Sequence, residues 1–205
     1  MIPGVHATIS TVVPPAEAQS SFCVPPAEAQ SFFVDNTPTT LGLQTDVKPP
    51  KLDAMLMAGV RTFLDLTEDG ELLPYVSELP VRASVLGVDL EEIQYHRFAI
   101  RDRSLPDSVE YMHSIMRVLE ENERKGRISA VHCRGGIGRT GTVIGCYLVA
   151  SGRAKDGAHA LEIIAREWAK VAKSQVYRHS PETGPQFEFV LNFHPEKASR
   201  EQLAF

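Results

Sequence analysis

The chain has 205 residues, 43% of them apolar, and a formal net charge of -5 at pH 7. That length can bury one sizeable hydrophobic core, and the mild negative charge argues against general affinity for nucleic acid or for an anionic membrane surface. No stretch is long and apolar enough to span a bilayer, and the first residues lack the basic and then apolar order of a signal peptide. We therefore expect a soluble, cytoplasmic protein with no membrane insertion and no nucleic-acid partner.

Residues 1–31 contain a local duplication, because Val-Pro-Pro-Ala-Glu-Ala-Gln-Ser occurs at 13–20 and again at 24–31. The proline pairs and the scarcity of large apolar side chains predict a flexible or extended arm over residues 1–31. Two copies are too few for a repeat fold. The arm is interpreted either as a disordered tail or as a segment that binds a partner. A folded domain is expected over residues 32–205.

The first half of this domain alternates between helical and strand patterns. Apolar spacing predicts a short helix over 51–58, closed by Gly59, and a buried strand over 60–66. Residues 67–80 are expected to form an acidic loop or a short helix, and residues 93–98 a further strand. This order favours strands that are covered by helices.

The second half is richer in helices. The patterns predict an amphipathic helix over 107–125, a central strand over 128–131, a largely apolar helix over 139–150, another amphipathic helix over 156–171 and a last helix over 185–193. The side chains expected on the core side of the two amphipathic helices are Val109, Met112, Ile115, Met116, Leu119, Ala158, Leu161, Ile164, Ala165 and Trp168. Strands that alternate with helices predict an α/β fold, with a mostly parallel central sheet covered by helices on both faces.

A glycine-rich loop joins the strand at 128–131 to the helix at 139–150, and residues 132–141 read His-Cys-Arg-Gly-Gly-Ile-Gly-Arg-Thr-Gly. A loop of this kind turns successive backbone N–H groups inward, and the dipole of the following helix adds positive potential. The concavity fits an oxyanion such as phosphate, and its field favours the thiolate form of a cysteine at its lip. The predicted phosphate-binding residues are Arg134, Gly135, Gly136, Ile137, Gly138 and Arg139.

The residue types in this loop suit nucleophilic attack on phosphorus. A thiolate of Cys133 can form a covalent phospho-cysteine, which splits one difficult displacement into two easier steps. The planar guanidinium of Arg139 can bind two phosphoryl oxygens at once and follow them into the transition state. The Thr140 hydroxyl can donate to the sulfur as it leaves, and His132 is predicted to orient the loop rather than to act as a base. A purely structural cysteine is the competing interpretation, and the fixed register of the motif argues against it.

The three cysteines of the chain, Cys23, Cys133 and Cys146, match neither the spacing of a metal site nor that of a disulfide set. We predict no metal ion and no other cofactor. Cys146 lies in the apolar helix after the loop and is expected in the core, with a redox pairing to Cys133 as the alternative. A catalytic thiolate also requires a reducing compartment, in keeping with the cytoplasmic expectation.

Cleavage of a phosphate ester also requires a proton for the leaving oxygen, which a carboxylic acid on a nearby loop commonly supplies. Asp102 follows the predicted strand at 93–98 and precedes a loop closed by proline. Asp107 is the competing residue. Its position before a helix, with Glu110 three residues later, is typical of an N-cap with a capping-box partner, which favours Asp102 as the acid.

Two further features have more than one interpretation. Arg101 and Arg103 flank the candidate acid, either as a solvated loop face or as a basic rim that meets an anionic substrate. Near the end of the chain, Ser180 and Pro181 are predicted as the cap and first-turn residue of the last helix. Gln186 follows at the start of this helix. It is interpreted either as a surface amide or as a residue with a catalytic role.

Residues 132–141 resemble the signature His-Cys-x-x-Gly-x-x-Arg-[Ser/Thr]-Gly of the cysteine-dependent protein tyrosine phosphatase superfamily, and every fixed position matches. Rhodanese-like sulfurtransferases and arsenate reductases can share a loop of this length, but they lack the preceding His and the Arg-Thr-Gly ending as a set. The resemblance spans roughly residues 32–193, and the compact size is similar to the dual-specificity and atypical members. It implies a protein tyrosine phosphatase-like fold, Asp102 as the general acid and Gln186 as the residue that positions the hydrolytic water.

The resemblance implies a metal-independent phosphatase that acts through a phospho-cysteine on phosphotyrosine, phosphoserine or phosphothreonine in proteins. An alternative substrate is a phosphoinositide, an inositol phosphate or an RNA 5′-phosphate. Lipid phosphatases of the superfamily often carry two basic residues inside the loop, and here only Arg134 is basic. A phosphate-binding module without turnover is disfavoured, because candidates for nucleophile, arginine and acid are all present. The oligomeric state is left open.

Overall fold

The computed structural model describes residues 51–195 and, in addition, the backbone of residues 21–24 and 33–34. The strands of this described part are β1 Ser21–Val24, β2 Phe33–Val34, β3 Val60–Asp65, β4 Gln94–Arg97 and β5 Ile128–His132. They form one sheet in the order β2-β1-β5-β3-β4. β3 pairs in parallel with β4 and β5, whereas β1 pairs antiparallel with β5 and with β2.

The parallel part of the sheet was predicted, and its antiparallel edge was not. β4, β3 and β5 follow the alternation of strands and helices along the chain. β1 lies inside residues 1–31, the segment predicted as an arm, and its register places Ser21 opposite His132. A four-residue strand next to a proline pair gives no usable alternating pattern. The rest of residues 1–31 lies outside the described residues, so the domain division at residue 32 stays a prediction.

The sheet is covered by helices on both faces, which confirms the predicted α/β class. The helices are α1 Lys51–Met57, α2 Glu78–Val85, α3 Val109–Arg124, α4 Gly138–Ala150, α5 Gly157–Trp168 and α6 Gly184–Leu191. α1 and α2 pack on one face and α3 and α4 on the other, with α5 and α6 against α4. No helix in the described part of the chain combines the length and the apolarity needed to cross a bilayer.

The alternation of side chains along the central strands divides the core in two. Phe63 and Ala130 face α1 and α2, whereas Leu64 and Val131 face α3 and α4. Every residue of α4 before the last one is buried. Because α4 is packed on all sides, the end of the glycine-rich loop that enters this helix is held in a fixed position.

The start of α3 differs from the prediction. The cap is Ser108, whose Oγ accepts a hydrogen bond from the Tyr111 N–H at 3.0 Å, so the predicted cap at Asp107 is wrong. Val109, expected on the core side, is 45% exposed. The helix begins one residue later than the predicted cap at Asp107 implied. Its first residue, Val109, therefore lies beyond the edge of the core.

α5 and α2 also depart from the expected pattern. α5 ends at Trp168, earlier than predicted, and Ala158 and Ala165 are exposed while Ala160 is buried. Alanine is tolerated on either side of a helix, so its spacing is a weak signal. α2 begins inside the segment predicted as an acidic loop or short helix, and Pro80 is tolerated there because it lies in the first turn.

Candidate active site

The glycine-rich loop lies at the carboxyl-terminal edge of the parallel strands. β5 ends at His132, which is opposite Asp65 at the end of β3. The Leu66 N–H continues the pairing by donating to the His132 carbonyl at 2.8 Å. Ligands in α/β sheets bind at this edge, where the connections that follow neighbouring strands meet. The loop over 133–139 is therefore faced by the connections after β3 and β4.

Cys133 begins this loop and is buried, with 3% of its surface exposed. Its Sγ accepts hydrogen bonds from the Gly136 N–H and from the Thr140 hydroxyl, each at 3.2 Å. Both donors stabilise negative charge on the sulfur. The structure thus brings Thr140 beside the sulfur, as its predicted role requires.

The guanidinium of Arg139 joins the loop to both neighbouring connections. Nη1 donates to the carbonyl oxygens of Leu66 at 3.3 Å and Ile100 at 2.9 Å. Burial opposes the charge of this group, but the hydrogen bonds that it donates to Glu71 and the negative charge of Cys133 raise the pKa of Arg139 above its ordinary value. The group that is predicted to bind phosphate is therefore a fixed and permanent cation.

Glu71 is a site residue that the sequence analysis missed. Its Oε1 accepts from Nη2 of Arg139 at 2.5 Å and its Oε2 from Nη1 at 2.7 Å, a bidentate pair. The hydrogen bonds from Arg139 lower the pKa of Glu71, burial opposes them, and the charge of Arg134 adds to the lowering. Nothing in the local sequence distinguishes Glu71 from its neighbours Glu68 and Asp69.

Asp102 contacts the same guanidinium. Its Oδ1 accepts from Nη2 of Arg139 at 2.9 Å and from the Arg103 N–H at 3.0 Å, and its side chain is 56% exposed. Arg103 has a φ of 58°, so the chain turns sharply just after the acid. Asp107 is exposed on the approach to α3. Of the two acids, Asp102 is the one that the fold brings to the glycine-rich loop over 133–139, which is called the phosphate loop from here on because of its predicted ligand.

The arginines around the acid and the loop face solvent. Arg101, Arg103 and Arg134 are all exposed. Arg103 lies 3.7 Å from Glu182, so an acid from the segment before α6 balances part of its charge. Exposure on this edge suits a basic rim for an anionic substrate. That interpretation stays a prediction.

His132 lies behind the loop, in a network of buried polar groups. Its Nε2 is 2.6 Å from the Tyr75 hydroxyl and 3.9 Å from Oδ1 of Asp65. Asp65 in turn accepts from the hydroxyls of Thr67 at 2.6 Å and Tyr95 at 2.7 Å. Burial lowers the pKa of His132, and the charge of Asp65 opposes that shift. A ring fixed in this way suits the predicted role of His132 in orienting the loop.

Gln186 is fully buried, so its interpretation as a surface amide is wrong. Its Oε1 accepts from the N–H groups of Glu182 and Thr183, each at 3.1 Å, and its Nε2 donates to the Ser104 carbonyl at 3.0 Å. A Cβ at Gly138 would lie 2.8 Å from this Oε1. Gln186 therefore touches the phosphate loop and ties the start of α6 to the connection after β4. Its role with the hydrolytic water stays a prediction.

Ser180 also differs from the prediction. α6 begins after Thr183, so the predicted cap at Ser180 is wrong. Ser180 is buried, and its Oγ donates to the Ile137 carbonyl at 2.8 Å. That contact directs the Ser180 hydroxyl to the glycine-rich loop, and α6 begins four residues later, at Gly184. A Cβ at Gly141 would clash with the same Oγ and with the backbone of Pro181, so this position of the chain favours glycine.

A family model described as "Swiss Army Knife protein, DSP-PTPase phosphatase domain" matches residues 37–190. The chain belongs to this family. The structure of Tk-PTP in its active form is 28% identical to the chain at a TM-score of 0.54, and the match covers 68% of this chain and 80% of that one.

Two further solved structures resemble this DSP-PTPase domain in fold. One is kinase-associated phosphatase with its catalytic-site cysteine replaced by serine, at 19% identity and a TM-score of 0.50, covering 68% of this chain and 71% of that one. The other is PTPMT1 in complex with PI(5)P, at 17% identity and a TM-score of 0.50, covering 68% and 80%. The family match confirms the assignment to the cysteine-dependent protein tyrosine phosphatase superfamily, of the dual-specificity type.

Cys146 lies in the core of the DSP-PTPase domain. It has no exposed surface, and burial raises the pKa of its thiol well above the ordinary value. The core position that the sequence predicted is therefore confirmed. A buried and protonated thiol is a poor redox partner, which disfavours the alternative pairing with Cys133.

An apolar pocket of about 200 Å³ lies behind the phosphate loop of the domain. Its lining consists of Lys51, Leu52, Met55, Phe63, Leu73, Tyr75 and His132. Neither Cys133 nor Arg139 is among these residues. The pocket is therefore on the α1 side of His132, and its lining does not include the predicted nucleophile or the predicted phosphate-binding arginine.

Proposed function

We propose that this DSP-PTPase domain hydrolyses phosphotyrosine, phosphoserine or phosphothreonine in proteins through a phospho-cysteine on Cys133. One observation carries the proposal: the Cys133 sulfur accepts from Gly136 and Thr140, while Arg139, at the end of the same loop, contacts Asp102. A nucleophile, an oxyanion clamp and an acid thus share one loop edge. The proposed steps use no metal ion or other cofactor. A thiolate nucleophile needs a reducing compartment, so a cytoplasmic location is part of the proposal.

In the first step the thiolate of Cys133 attacks phosphorus while the bond from phosphorus to the ester oxygen breaks. Arg139 and the loop N–H groups bind the non-bridging oxygens and stabilise their charge in the transition state. Asp102 gives its proton to the leaving oxygen, so the substrate side chain departs as a neutral hydroxyl.

In the second step a water molecule attacks the phospho-cysteine, and the sulfur–phosphorus bond breaks. The Asp102 carboxylate takes a proton from this water, which returns the acid to its starting form. The Thr140 hydroxyl donates to the departing sulfur, so the leaving thiolate is stabilised as it forms. Gln186, buried against Gly138, is the residue proposed to position the water.

A second candidate function keeps these steps and changes the substrate to a phosphoinositide, an inositol phosphate or an RNA 5′-phosphate. The exposed Arg101 and Arg134 favour it, because extra cations suit a substrate with more than one phosphate. The other large variable position of the loop is the apolar and buried Ile137. With one basic side chain inside the loop, protein substrates remain the better-supported choice.

The test is release of inorganic phosphate by the purified full chain. The substrates are peptides with phosphotyrosine, phosphoserine or phosphothreonine, vesicles with phosphoinositides, and a 5′-phosphorylated RNA oligonucleotide. We expect turnover of the peptides. Turnover confined to the vesicles or the RNA would move the assignment to the second candidate. No release from any substrate, with vanadate still bound, would point to a phosphate-binding module without turnover.

Asparagine in place of Asp102 is expected to slow phosphopeptide hydrolysis by about 100-fold, the usual contribution of a general acid. Hydrolysis of p-nitrophenyl phosphate should slow much less, because its leaving group departs without a proton. The measurement is kcat at neutral pH for both esters. Asp107→Asn is the control, since Asp107 is exposed near α3, and it should match wild type. Equal slowing of both esters in Asp102→Asn would contradict the acid role.

A further inference from the structure

Lys173 belongs to no motif in the sequence, yet it reaches the phosphate loop. It lies in the short 3-10 helix Ala172–Gln175 that follows α5. Its side chain is half-buried, and Nζ donates to the carbonyl oxygen of Gly135 at 3.0 Å. Gly135 is two residues after Cys133. A cation from a distant part of the chain thus contacts the backbone next to the nucleophile.

The Gly135 carbonyl and the Gly136 N–H belong to the same planar peptide unit. That N–H donates to Sγ of Cys133 at 3.2 Å. The contacts therefore run from the ammonium of Lys173 to the carbonyl, across one peptide, and from its N–H to the sulfur. Linked hydrogen bonds polarise one another, so a cation at the carbonyl end makes the N–H a stronger donor.

A small hydrophobic cluster fixes Lys173 against the loop. Its members are Ile137, Trp168 and Val171, all buried. Ile137 is a residue of the phosphate loop, and Val171 is two positions before the lysine. Trp168 Nε1 also donates to the Tyr177 carbonyl at 2.7 Å, which closes the turn beyond Lys173. The lysine and the loop are therefore parts of one packed unit.

The charged and titratable groups around the Cys133 sulfur come from several elements, namely His132, Arg134, Arg139, Glu71, Asp102 and Lys173. Arg139 is already paired with two carboxylates, and burial favours the neutral form of His132. Burial lowers the pKa of Lys173, and negative charge on Cys133 opposes that shift. Since this coupling is mutual, the lysine cation favours the thiolate as much as the thiolate favours the cation.

We propose that Lys173 is a positioning residue for the nucleophile, which stabilises the Cys133 thiolate through the Gly135–Gly136 peptide and holds that N–H toward the sulfur. The inference rests on the proposed function, in which Cys133 attacks phosphorus. It extends the active site to the 3-10 helix Ala172–Gln175, which is separate from the signature motif in the sequence.

The test is the pH dependence of Cys133 alkylation by iodoacetamide in the full chain, without substrate, read by mass spectrometry of the peptide that contains this cysteine. In Lys173→Met, the midpoint of the profile should move to higher pH by about half a unit to one unit, because loss of a nearby cation disfavours the thiolate. Lys173→Arg keeps the charge and should remain close to wild type. Lys170→Met is the control, since Lys170 pairs with Glu167 and is mostly exposed, and it should leave the profile unchanged.

Coincident profiles for Lys173→Met and wild type would overturn the inference. A shift in Lys173→Arg as large as in Lys173→Met would also overturn it, because the effect would then not follow the charge. If the methionine variant is too unstable to assay, Lys173→Gln carries the same expectation. The proposed function is tested separately, by the phosphate-release assay. A negative alkylation result therefore counts against the role of Lys173, and a negative phosphate-release result counts against the proposed function.

Discussion

Serine in place of Cys133 is expected to abolish phosphate release, with a loss of roughly 10⁴-fold or more, while phosphate or vanadate still binds. A serine hydroxyl does not ionise near neutral pH. The groups at this position, the Gly136 N–H and the Thr140 hydroxyl, stabilise an anion and provide no base to remove a proton. Oxyanion binding persists because the loop amides and Arg139 are unchanged. Phosphate release from a phosphopeptide and calorimetric vanadate binding measure the two parts.

Cys146→Ala is the control for loss of a cysteine. Cys146 is buried in α4 and has no contact with phosphate in the proposed mechanism, so kcat per folded molecule should stay at the wild-type value. Substantial turnover by Cys133→Ser would exclude the phospho-cysteine mechanism. If the serine variant lost both vanadate binding and turnover, its loop conformation would have been lost as well. A thermal unfolding measurement would detect this.

The phosphate loop was predictable because its determinants are local. The strand before Cys133, the glycines that follow and the buried helix that begins with Arg139 are contiguous, so one stretch of sequence specifies the whole concavity. Asp102 was predicted from its place between a strand and a proline-closed loop and from the family resemblance, and its role as the acid stays a proposal. The contact between Asp102 and Arg139 follows from the sheet topology, since strand ends of a parallel sheet meet at one edge.

Glu71 and Lys173 were not predictable, because their roles depend on tertiary contacts. Glu71 lies in a connection with several other acids, and only the folded chain places its carboxylate on the Arg139 guanidinium. Lys173 follows an amphipathic helix and resembles any surface lysine until packing of Ile137 against Trp168 brings its turn to the loop. Single charges in polar segments have no period or spacing from which a distant partner could be inferred.

The wrong caps have a different cause, which is competition between neighbouring polar residues. Asp107 and Ser108 are both good N-caps, and a one-residue difference is beyond what cap rules resolve. Ser180 also has the right residue type, but its hydroxyl donates to the Ile137 carbonyl, a partner that the sequence does not reveal, and α6 begins only at Gly184. Local rules thus identified candidate caps, but they did not determine the residue at which each helix begins.

Lysine in place of Arg139 is expected to lower kcat/KM for phosphopeptides by about 10³-fold, since a lysine provides a point charge where the site uses a planar fork. The guanidinium satisfies the Leu66 and Ile100 carbonyls and the Glu71 carboxylate while it remains buried. A lysine ammonium has its three donors on a single nitrogen, so it cannot present the two parallel N–H groups with which a guanidinium binds two phosphoryl oxygens. The measurement is steady-state phosphate release, with vanadate inhibition as a second readout, and wild-type kinetics would contradict the clamp.

Two further variants distinguish the proposed binding of phosphate by Arg139 from the orientation of Arg139 by Glu71. Glu71→Gln keeps the shape of the side chain that binds Arg139 but removes its negative charge. The guanidinium of Arg139 is then still present, but it is oriented less firmly. We expect a loss of about tenfold in kcat/KM, well below that of Arg139→Lys. Arg82→Lys is the control, because Arg82 also binds a carboxylate through two nitrogens, that of Asp53, on the α1–α2 side. Its kcat should equal wild type, which would assign the large loss in Arg139→Lys to the phosphate loop and not to any disrupted arginine–carboxylate pair.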